Sequence, residues 1–234
     1  MIVRVGLENN MDGHSLAWAL DFAGCFADGP DAATALVNLP QRLLAYETWV
    51  GSHTAQPWFS LGNLDIRLVE AWDGYFIDND FEVTESREGY EVNAWFRDDW
   101  KPLKAEEVEH GLALLGWTRA DLQGAVADLD DATLDKTYPN ERWSIRAILR
   151  HVANADWWYL SRLGLVEGLE WPKETDERLR VARTRLVEVL PGLVESRLVT
   201  GVEGEFWSPR KILRRILWHE RDHTGHIYKL LAGG

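Results

Sequence analysis

The sequence predicts an α+β protein in which a small α/β domain, residues 1–98, precedes an all-α four-helix bundle, residues 99–234. The first observation is that charge is distributed unevenly. Residues 1–98 contain 5 Lys and Arg and 16 Asp and Glu, whereas residues 99–234 contain 20 Lys and Arg and 22 Asp and Glu. The hydrophobic pattern changes at the same place, from short alternating stretches to long stretches with helical spacing. We therefore expect a domain boundary near residues 97–102.

The first half carries the sequence signals of strands and turns. Partial alternation of apolar and polar residues predicts four strands, at residues 3–8, 15–22, 66–72 and 90–96. A turn is expected at residues 9–13, which contain Asn, Asp and Gly. Asp31 is a suitable N-cap for a helix that runs toward Val50. Pro40 lies inside this helix and lacks the amide hydrogen that the helix needs, so we expect it to kink or divide the helix.

The second half has a helical pattern throughout. Four amphipathic helices are predicted, at residues 104–128, 145–163, 174–194 and 209–231. Ser144 is a suitable N-cap for the second helix, and Ser208 followed by Pro209 is a strong start signal for the last. The third helix is expected to break near Pro191. Four helices joined by longer loops are typical of a four-helix bundle.

Three histidines lie close together in the last predicted helix, within the segment WHERDHTGH at residues 218–226. His219, His223 and His226 project from one face, because an α-helix turns by about 100° per residue. Two imidazoles at positions i and i+4 can chelate one metal ion, whereas burying them without partners costs free energy. His226 lies ~10.5 Å along the helix axis from His219, so a third ligand is expected from another helix.

His151 is the natural candidate for that ligand, because it lies on the predicted helix that carries Ile145, Ile148 and Leu149. Three neutral imidazoles suit Zn²⁺ first, and also Ni²⁺ or Fe²⁺. Three protein ligands leave at least one coordination position for water or substrate, which is the arrangement of a catalytic metal site. The alternative is that these histidines are core residues with hydrogen-bond partners and bind no ion.

The segment WSIRAILRHVANADWW, residues 143–158, closely resembles the second helix of the DinB-like family, and HERDHTGHI, from residue 219, is similar to the family's final helix. The resemblance covers about residues 100–234. It implies a four-helix bundle, usually a homodimer, with His151, His219 and His223 as metal ligands. The sequence departs from the family at His226, where Gln is more usual. We therefore place His226, together with Glu220, around the metal, near bound water or substrate.

The same resemblance implies a class of activity. Members with known chemistry are metal-dependent transferases or isomerases that use low-molecular-weight thiols, such as mycothiol or bacillithiol. An open metal site suits this chemistry because it can bind a thiol and lower its pKa. The expected partner is a small-molecule substrate or thiol. The alternative is a metal-dependent sensor or interaction module without enzymatic activity.

A third reading is a zinc peptidase, because His219-Glu220-x-x-His223 matches the H-E-x-x-H motif. The context argues against it. Metzincins need a third histidine six residues later, where this sequence has Lys229. Gluzincins take a ligand from a further downstream helix, and the chain is too short after His223 to supply one.

The stretch LDFAGCFADG, residues 20–29, followed by a helix, resembles the HicB-like fold. This resemblance covers roughly residues 1–70. It implies a binding module that has no chemistry of its own. The alternative is a small α/β domain with a tight turn at this place.

Cationic residues crowd the first turns of the last helix, where they oppose the helix dipole. Arg210 and Arg214 are therefore candidates to bind an anionic substrate or cofactor, and the alternative is that they pair with acids of the N-terminal domain.

Composition excludes several classes of function. The net charge of −13 argues against direct binding to nucleic acid or to an anionic membrane. Cys25 is the single cysteine, so no intrachain disulfide and no cysteine-based zinc cluster can form. The sequence shows neither a signal peptide nor an apolar run long enough to span a membrane, so a cytoplasmic location is expected.

Overall fold

The computed structural model describes residues 1–11, 13–86 and 88–233, so Asp12 of the predicted turn lies outside the described residues. The chain forms two compact units. The first comprises Met1–Lys101 and Gly201–Trp207, and the second comprises Pro102–Thr200 and Ser208–Gly234. The first is rich in strands and the second is helical, so the chain is an α+β protein. The division into separate domains at residues 98 and 99 stays a prediction.

A four-stranded sheet with the order β3-β2-β1-β4 forms the centre of the first unit. Its strands are β1 (Ile2–Met11), β2 (His14–Ala19), β3 (Phe26–Gly29) and β4 (Asp65–Asp73). Strand β1 pairs with β2 in antiparallel and with β4 in parallel orientation, and β2 pairs with β3 in antiparallel orientation. The prediction missed β3 because its Ala-Asp-Gly sequence is typical of a turn. Pairing with β2 overrides that local preference.

Helix α1 (Ala32–His53) packs against β2 and β3. It begins as predicted, since the Asp31 carboxylate accepts a hydrogen bond of 2.8 Å from the Thr34 amide. The helix runs through Pro40 without interruption, so the division expected there is not found. Leu39 and Leu43, which flank this position, are completely buried, and packing of this face offsets the hydrogen bond that proline cannot make.

Five short strands complete the first unit's β-structure. Three form an antiparallel sheet with the order β6-β5-β7: β5 (Tyr75–Ile77), β6 (Val83–Thr84) and β7 (Tyr90–Val92). Strands β8 (Thr200–Val202) and β9 (Glu205–Trp207) form a hairpin that the sequence analysis missed. Its turn residues, Glu203 and Gly204, both have positive φ angles, of 50° and 76°. Such short strands leave too little alternation to recognise.

The hairpin is bound to this unit by Tyr90, whose hydroxyl donates a 2.6 Å hydrogen bond to the Glu205 carboxylate. The resemblance to the HicB-like fold stays a prediction.

The second unit contains four long helices and one short one. They are α2 (Ala105–Val126), α3 (Asp131–Leu134), α4 (Ile145–Ser161), α5 (Thr175–Val189) and α6 (Pro209–Gly233). Helix α6 packs against α2 and α4, and α5 packs against α4. Ser144 caps α4 as predicted, and a 3-10 turn at Leu190–Leu193 ends the third long helix at the predicted break. Ile145, Ile148 and Ile227 lie in the core of this unit.

The α2–α6 contact yields a stability prediction. A Cβ atom added at Gly111 would lie 2.9 Å from Leu213 of α6, whereas one added at Gly116 would meet nothing within 4 Å. Alanine improves helix propensity at both positions by about the same amount. We expect Gly111→Ala to be less stable than Gly116→Ala by roughly 1–3 kcal/mol, the typical cost of overpacking. Urea unfolding of both variants measures this difference, and equal stabilities would contradict the close approach.

Within the described residues, the helices lack the combination of length and apolar character that crossing a membrane requires. The cytoplasmic location stays a prediction.

Candidate metal centre

Helices α4 and α6 bring three histidine side chains to one point. His151 projects from α4, and His219 and His223 project from successive turns of α6. The Nε2 atom of His219 lies 2.9 Å from that of His151 and 3.1 Å from that of His223. The three candidate ligand atoms all lie within 4.8 Å of one another. The structure thus assembles the three residues that the sequence analysis selected.

Hydrogen bonding among the imidazoles cannot satisfy both short contacts. A neutral imidazole has one ring N–H, and its other ring nitrogen is an acceptor. If His219 carries its proton on Nε2, this atom can donate to only one of its two neighbours. If the proton is on Nδ1, the single lone pair of Nε2 has to accept from both neighbours. A cation between the nitrogens would attract all three lone pairs at once. Zn–N bonds of ~2.0–2.1 Å in a tetrahedral site separate the nitrogens by about 3.3–3.4 Å, so the two short separations would have to widen slightly.

The electrostatic environment keeps the imidazoles neutral. Burial lowers the pKa of His219 well below its ordinary value, and His223 and His151 lower it further. Burial, followed by the neighbouring His151 and His226, lowers the pKa of His223 to about 3. The pKa of His151 is also lowered, by burial and by the charge of Arg142. At neutral pH the three side chains therefore present lone pairs, which is the form that binds metals.

Aromatic rings surround the three histidines. The Trp143 ring centroid lies 4.4 Å from that of His151 and 6.1 Å from that of His223. Tyr159 meets His219 edge-on at 6.2 Å between ring centroids. The buried Nδ1 atoms of His219 and His223 have no hydrogen-bond partner among the described residues. Packing rather than hydrogen bonding therefore orients these two rings, whereas metal-binding histidines usually donate the second N–H to a partner.

Comparison with known proteins concerns the helical second unit. Residues 114–227 match the model of the DinB superfamily. This helical segment is DinB-like. No curated protein matches the chain.

Among solved structures, the chain is similar to YfiT from Bacillus subtilis, which is described as a probable metal-dependent hydrolase with an unusual four-helix bundle topology. The similarity covers 56% of this chain and 89% of YfiT, with 20% sequence identity and a TM-score of 0.45. So distant a similarity carries no inference about activity.

Glu220, which we expected near the metal, lies in a buried cluster of charges in the DinB-like bundle. Its carboxylate accepts hydrogen bonds of 2.6 Å from both Arg119 and Arg183, and one of 2.5 Å from the Thr118 hydroxyl. The same two arginines donate to Asp156, at 3.0 and 3.2 Å. Burial raises the pKa of Glu220, but the arginines lower it more, so the carboxylate is ionised.

We call Arg119, Asp156, Arg183 and Glu220 the buried quartet. It links the long helices α2, α4, α5 and α6, including both helices that carry the histidines. The sequence analysis did not identify Arg119, Asp156 or Arg183. The signal that it could have used is a charged residue at a core position of an amphipathic helix.

His226 lies at the edge of the histidine cluster and is partly exposed. Its ring centroid is 6.4 Å from that of His223, and its Nε2 atom lies 3.0 Å from the Glu141 carboxylate. The structure therefore gives His226 a carboxylate partner. A role near bound water or substrate stays a prediction for this residue.

The contact with Glu141 yields a prediction for His226→Gln. Glutamine can keep a hydrogen bond to a carboxylate but is a poor metal ligand, so the variant should retain one metal ion per chain. Outer-shell partners typically contribute ~10–100-fold to affinity, and the loss should not exceed this. Equilibrium dialysis against Zn²⁺ measures it. Loss of metal as complete as in His219→Ala would show that His226 is a ligand.

The two arginines proposed to bind an anion lie at the start of α6. Arg210 is bound at both ends of its guanidinium by the Glu107 carboxylate, at 2.6 and 2.7 Å, and it also donates to the Pro102 carbonyl at 2.8 Å. Arg214 is buried, with 7% of its surface exposed. Anion binding by these residues stays a prediction, and for Arg210 the ligand would have to displace Glu107.

Proposed function

We propose that the DinB-like bundle binds one divalent metal ion through the Nε2 atoms of His151, His219 and His223, and that this centre acts on a small molecule. The convergence of three neutral imidazole nitrogens beside aromatic rings, with His219 buried and His151 and His223 partly buried, supports the proposal most directly. Zn²⁺ is the first candidate for such a ligand set, with Ni²⁺ and Fe²⁺ as alternatives.

Three protein ligands leave a coordination position open to a small molecule. A divalent cation at this place would lower the pKa of a thiol or water bound to it and so supply a nucleophile at neutral pH. The protein's own contribution is to hold the three imidazoles neutral and to shield them from water with Trp143 and Tyr159. This combination fits a metal-dependent transferase or isomerase that uses a low-molecular-weight thiol.

The position of the single cysteine supports an external thiol. Cys25 is buried in the first unit, with 3% of its surface exposed. It is therefore a poor nucleophile for chemistry on a substrate, because reactive cysteines are accessible thiolates. If the reaction uses a thiol, a small molecule must supply it. The assignment of a thiol as co-substrate rests on analogy with the DinB-like family.

The peptidase reading loses its main support, because the H-E-x-x-H mechanism needs Glu220 as a free general base. Arg119, Arg183 and Thr118 bind both of its carboxylate oxygens instead. A metal-dependent sensor would use the same three histidines, so it differs from the transferase only in having no turnover.

An assay of the metal-loaded chain against a panel of thiols and electrophiles tests the proposal. Metal content is measured first, by elemental mass spectrometry. We expect about one ion per chain and a thiol-transfer activity that chelation removes and added metal restores. Bound metal without turnover for any pair would favour the sensor, and a chain that binds no metal would contradict the proposal. Homodimer formation, which sedimentation measures, stays a prediction.

A further inference from the structure

A cationic side chain contacts the tryptophan that packs against His151 and His223, without being part of the ligand set. Arg142 precedes the cap of α4, and its guanidinium carbon lies 5.1 Å from the centre of the Trp143 ring. The Trp143 ring in turn lies 4.4 Å from that of His151. Trp143 therefore connects an exposed arginine to the candidate metal centre.

Arg142 is exposed, and its guanidinium has no ion-pair or hydrogen-bond partner among the described residues. The adjacent carboxylate of Glu141 contacts His226 instead, at 3.0 Å. Arg146, one turn further along, shows the contrast: two aspartates bind it at 2.5 and 2.7 Å. The guanidinium of Arg142 is thus available to a ligand.

Stacking on an aromatic ring restricts a guanidinium without using its N–H donors. An arginine held in this way presents a planar pair of donors that matches a carboxylate or phosphate group. Residues 99–234 are nearly neutral, with 20 Lys and Arg against 22 Asp and Glu, so their net charge does not attract small anions. A local cation beside the histidines would be needed to bind an anionic ligand there.

We propose that Arg142, stacked on Trp143, binds the anionic group of a bifunctional small molecule whose other end reaches the metal centre. The inference rests on the proposed function, because it takes the three histidines as the metal site. It adds the substrate class: a small molecule with a carboxylate or phosphate group besides its metal-binding group.

Three two-carbon thiols that differ in charge provide the test: mercaptoacetate, 2-mercaptoethanol and cysteamine. The full chain is loaded with Co²⁺, whose visible absorption reports both its own binding and the arrival of a thiol. We expect mercaptoacetate to bind most tightly and cysteamine most weakly. Mercaptoacetate can also bind Co²⁺ through one carboxylate oxygen, and Arg142 would then bind the other oxygen.

The informative quantity is the dissociation constant for 2-mercaptoethanol divided by the dissociation constant for mercaptoacetate. Arg142→Gln should lower this ratio roughly ten-fold, the scale of one charge-assisted contact of about 1.4 kcal/mol. Arg197→Gln is the matched control, because Arg197 is also an exposed arginine with no partner among the described residues. It changes the net charge equally and should leave the ratio unchanged.

The possible outcomes separate this inference from the proposed function. A ratio that is unchanged in Arg142→Gln, with Co²⁺ bound, would overturn the inference and leave the metal centre intact. An equal fall in both variants would reduce the effect to net charge and would also overturn it. A wild-type chain that binds no Co²⁺ would overturn both proposals, and the spectrum shows this before any thiol is added.

Discussion

Replacement of His223 by alanine is expected to abolish metal binding by the full-length chain. The side chain supplies one of three converging nitrogens, and its Nε2 atom lies 3.1 Å from that of His219. Two imidazoles from different helices remain in the variant, and they hold an ion far more weakly than three. The affinity should fall by more than the ~10–100-fold that is typical of outer-shell partners. Elemental analysis after dialysis against Zn²⁺ measures the occupancy.

Two other histidines serve as controls for this experiment. His14 is exposed at the start of β2, and His53 contacts the Trp49 carbonyl at the end of α1. Both belong to the first unit, so His14→Ala and His53→Ala should bind about as much metal as the wild type. Full occupancy in His223→Ala would contradict the ligand assignment.

Replacement of Arg183 by alanine is expected to lower the free energy of unfolding more than any other substitution described above. Its guanidinium donates to the carboxylates of Glu220 and Asp156 and to the Leu115 carbonyl, and all of these groups are buried. Removal leaves two buried carboxylates with only Arg119 as a cationic partner. Breaking a buried ion pair in this way typically costs about 3–5 kcal/mol of the free energy of unfolding.

Arg180 offers a matched control on the same helix. It lies three residues before Arg183, is exposed, and pairs with Glu177 on the surface. Arg180→Ala should cost far less, because an exposed ion pair within a helix contributes little to the free energy of unfolding. Urea unfolding followed by circular dichroism compares the two variants. If Arg183→Ala were no less stable than Arg180→Ala, the buried quartet would not hold the bundle together.

The histidine cluster could be predicted from the sequence because it depends on local geometry. Turn angle and rise place His219 and His223 on one face of a helix, and they also carry His226 too far along the axis to share the ion. The position of His151 on an amphipathic helix then selects it as the third member. The structure brings these three side chains together, although binding of an ion by them stays a prediction.

The surroundings of the cluster depend on contacts between residues far apart in sequence. Glu220 is adjacent to His219, but one residue along a helix turns the side chain by about 100°, so it faces a different neighbour. Whether that neighbour is a metal or an arginine is decided by Arg119 and Arg183, which lie 101 and 37 residues away. No local pattern reports such partners.

Arg142 was missed for a related reason. It lies in the irregular segment before α4, where no periodicity indicates which way a side chain points. Arg142 becomes a candidate for anion binding through two contacts that only the structure shows. Arg142 contacts Trp143, and Glu141 contacts His226.

X-ray absorption at the zinc edge of the Zn²⁺-loaded full chain tests the central claim most directly. We expect three imidazole nitrogens at about 2.0–2.1 Å and a further light-atom ligand in the open position. The spectrum should lose an imidazole contribution in His151→Ala, because His151 is the predicted ligand from helix α4. A spectrum with fewer than three imidazoles, or one that His151→Ala leaves unchanged, would contradict the metal centre described above.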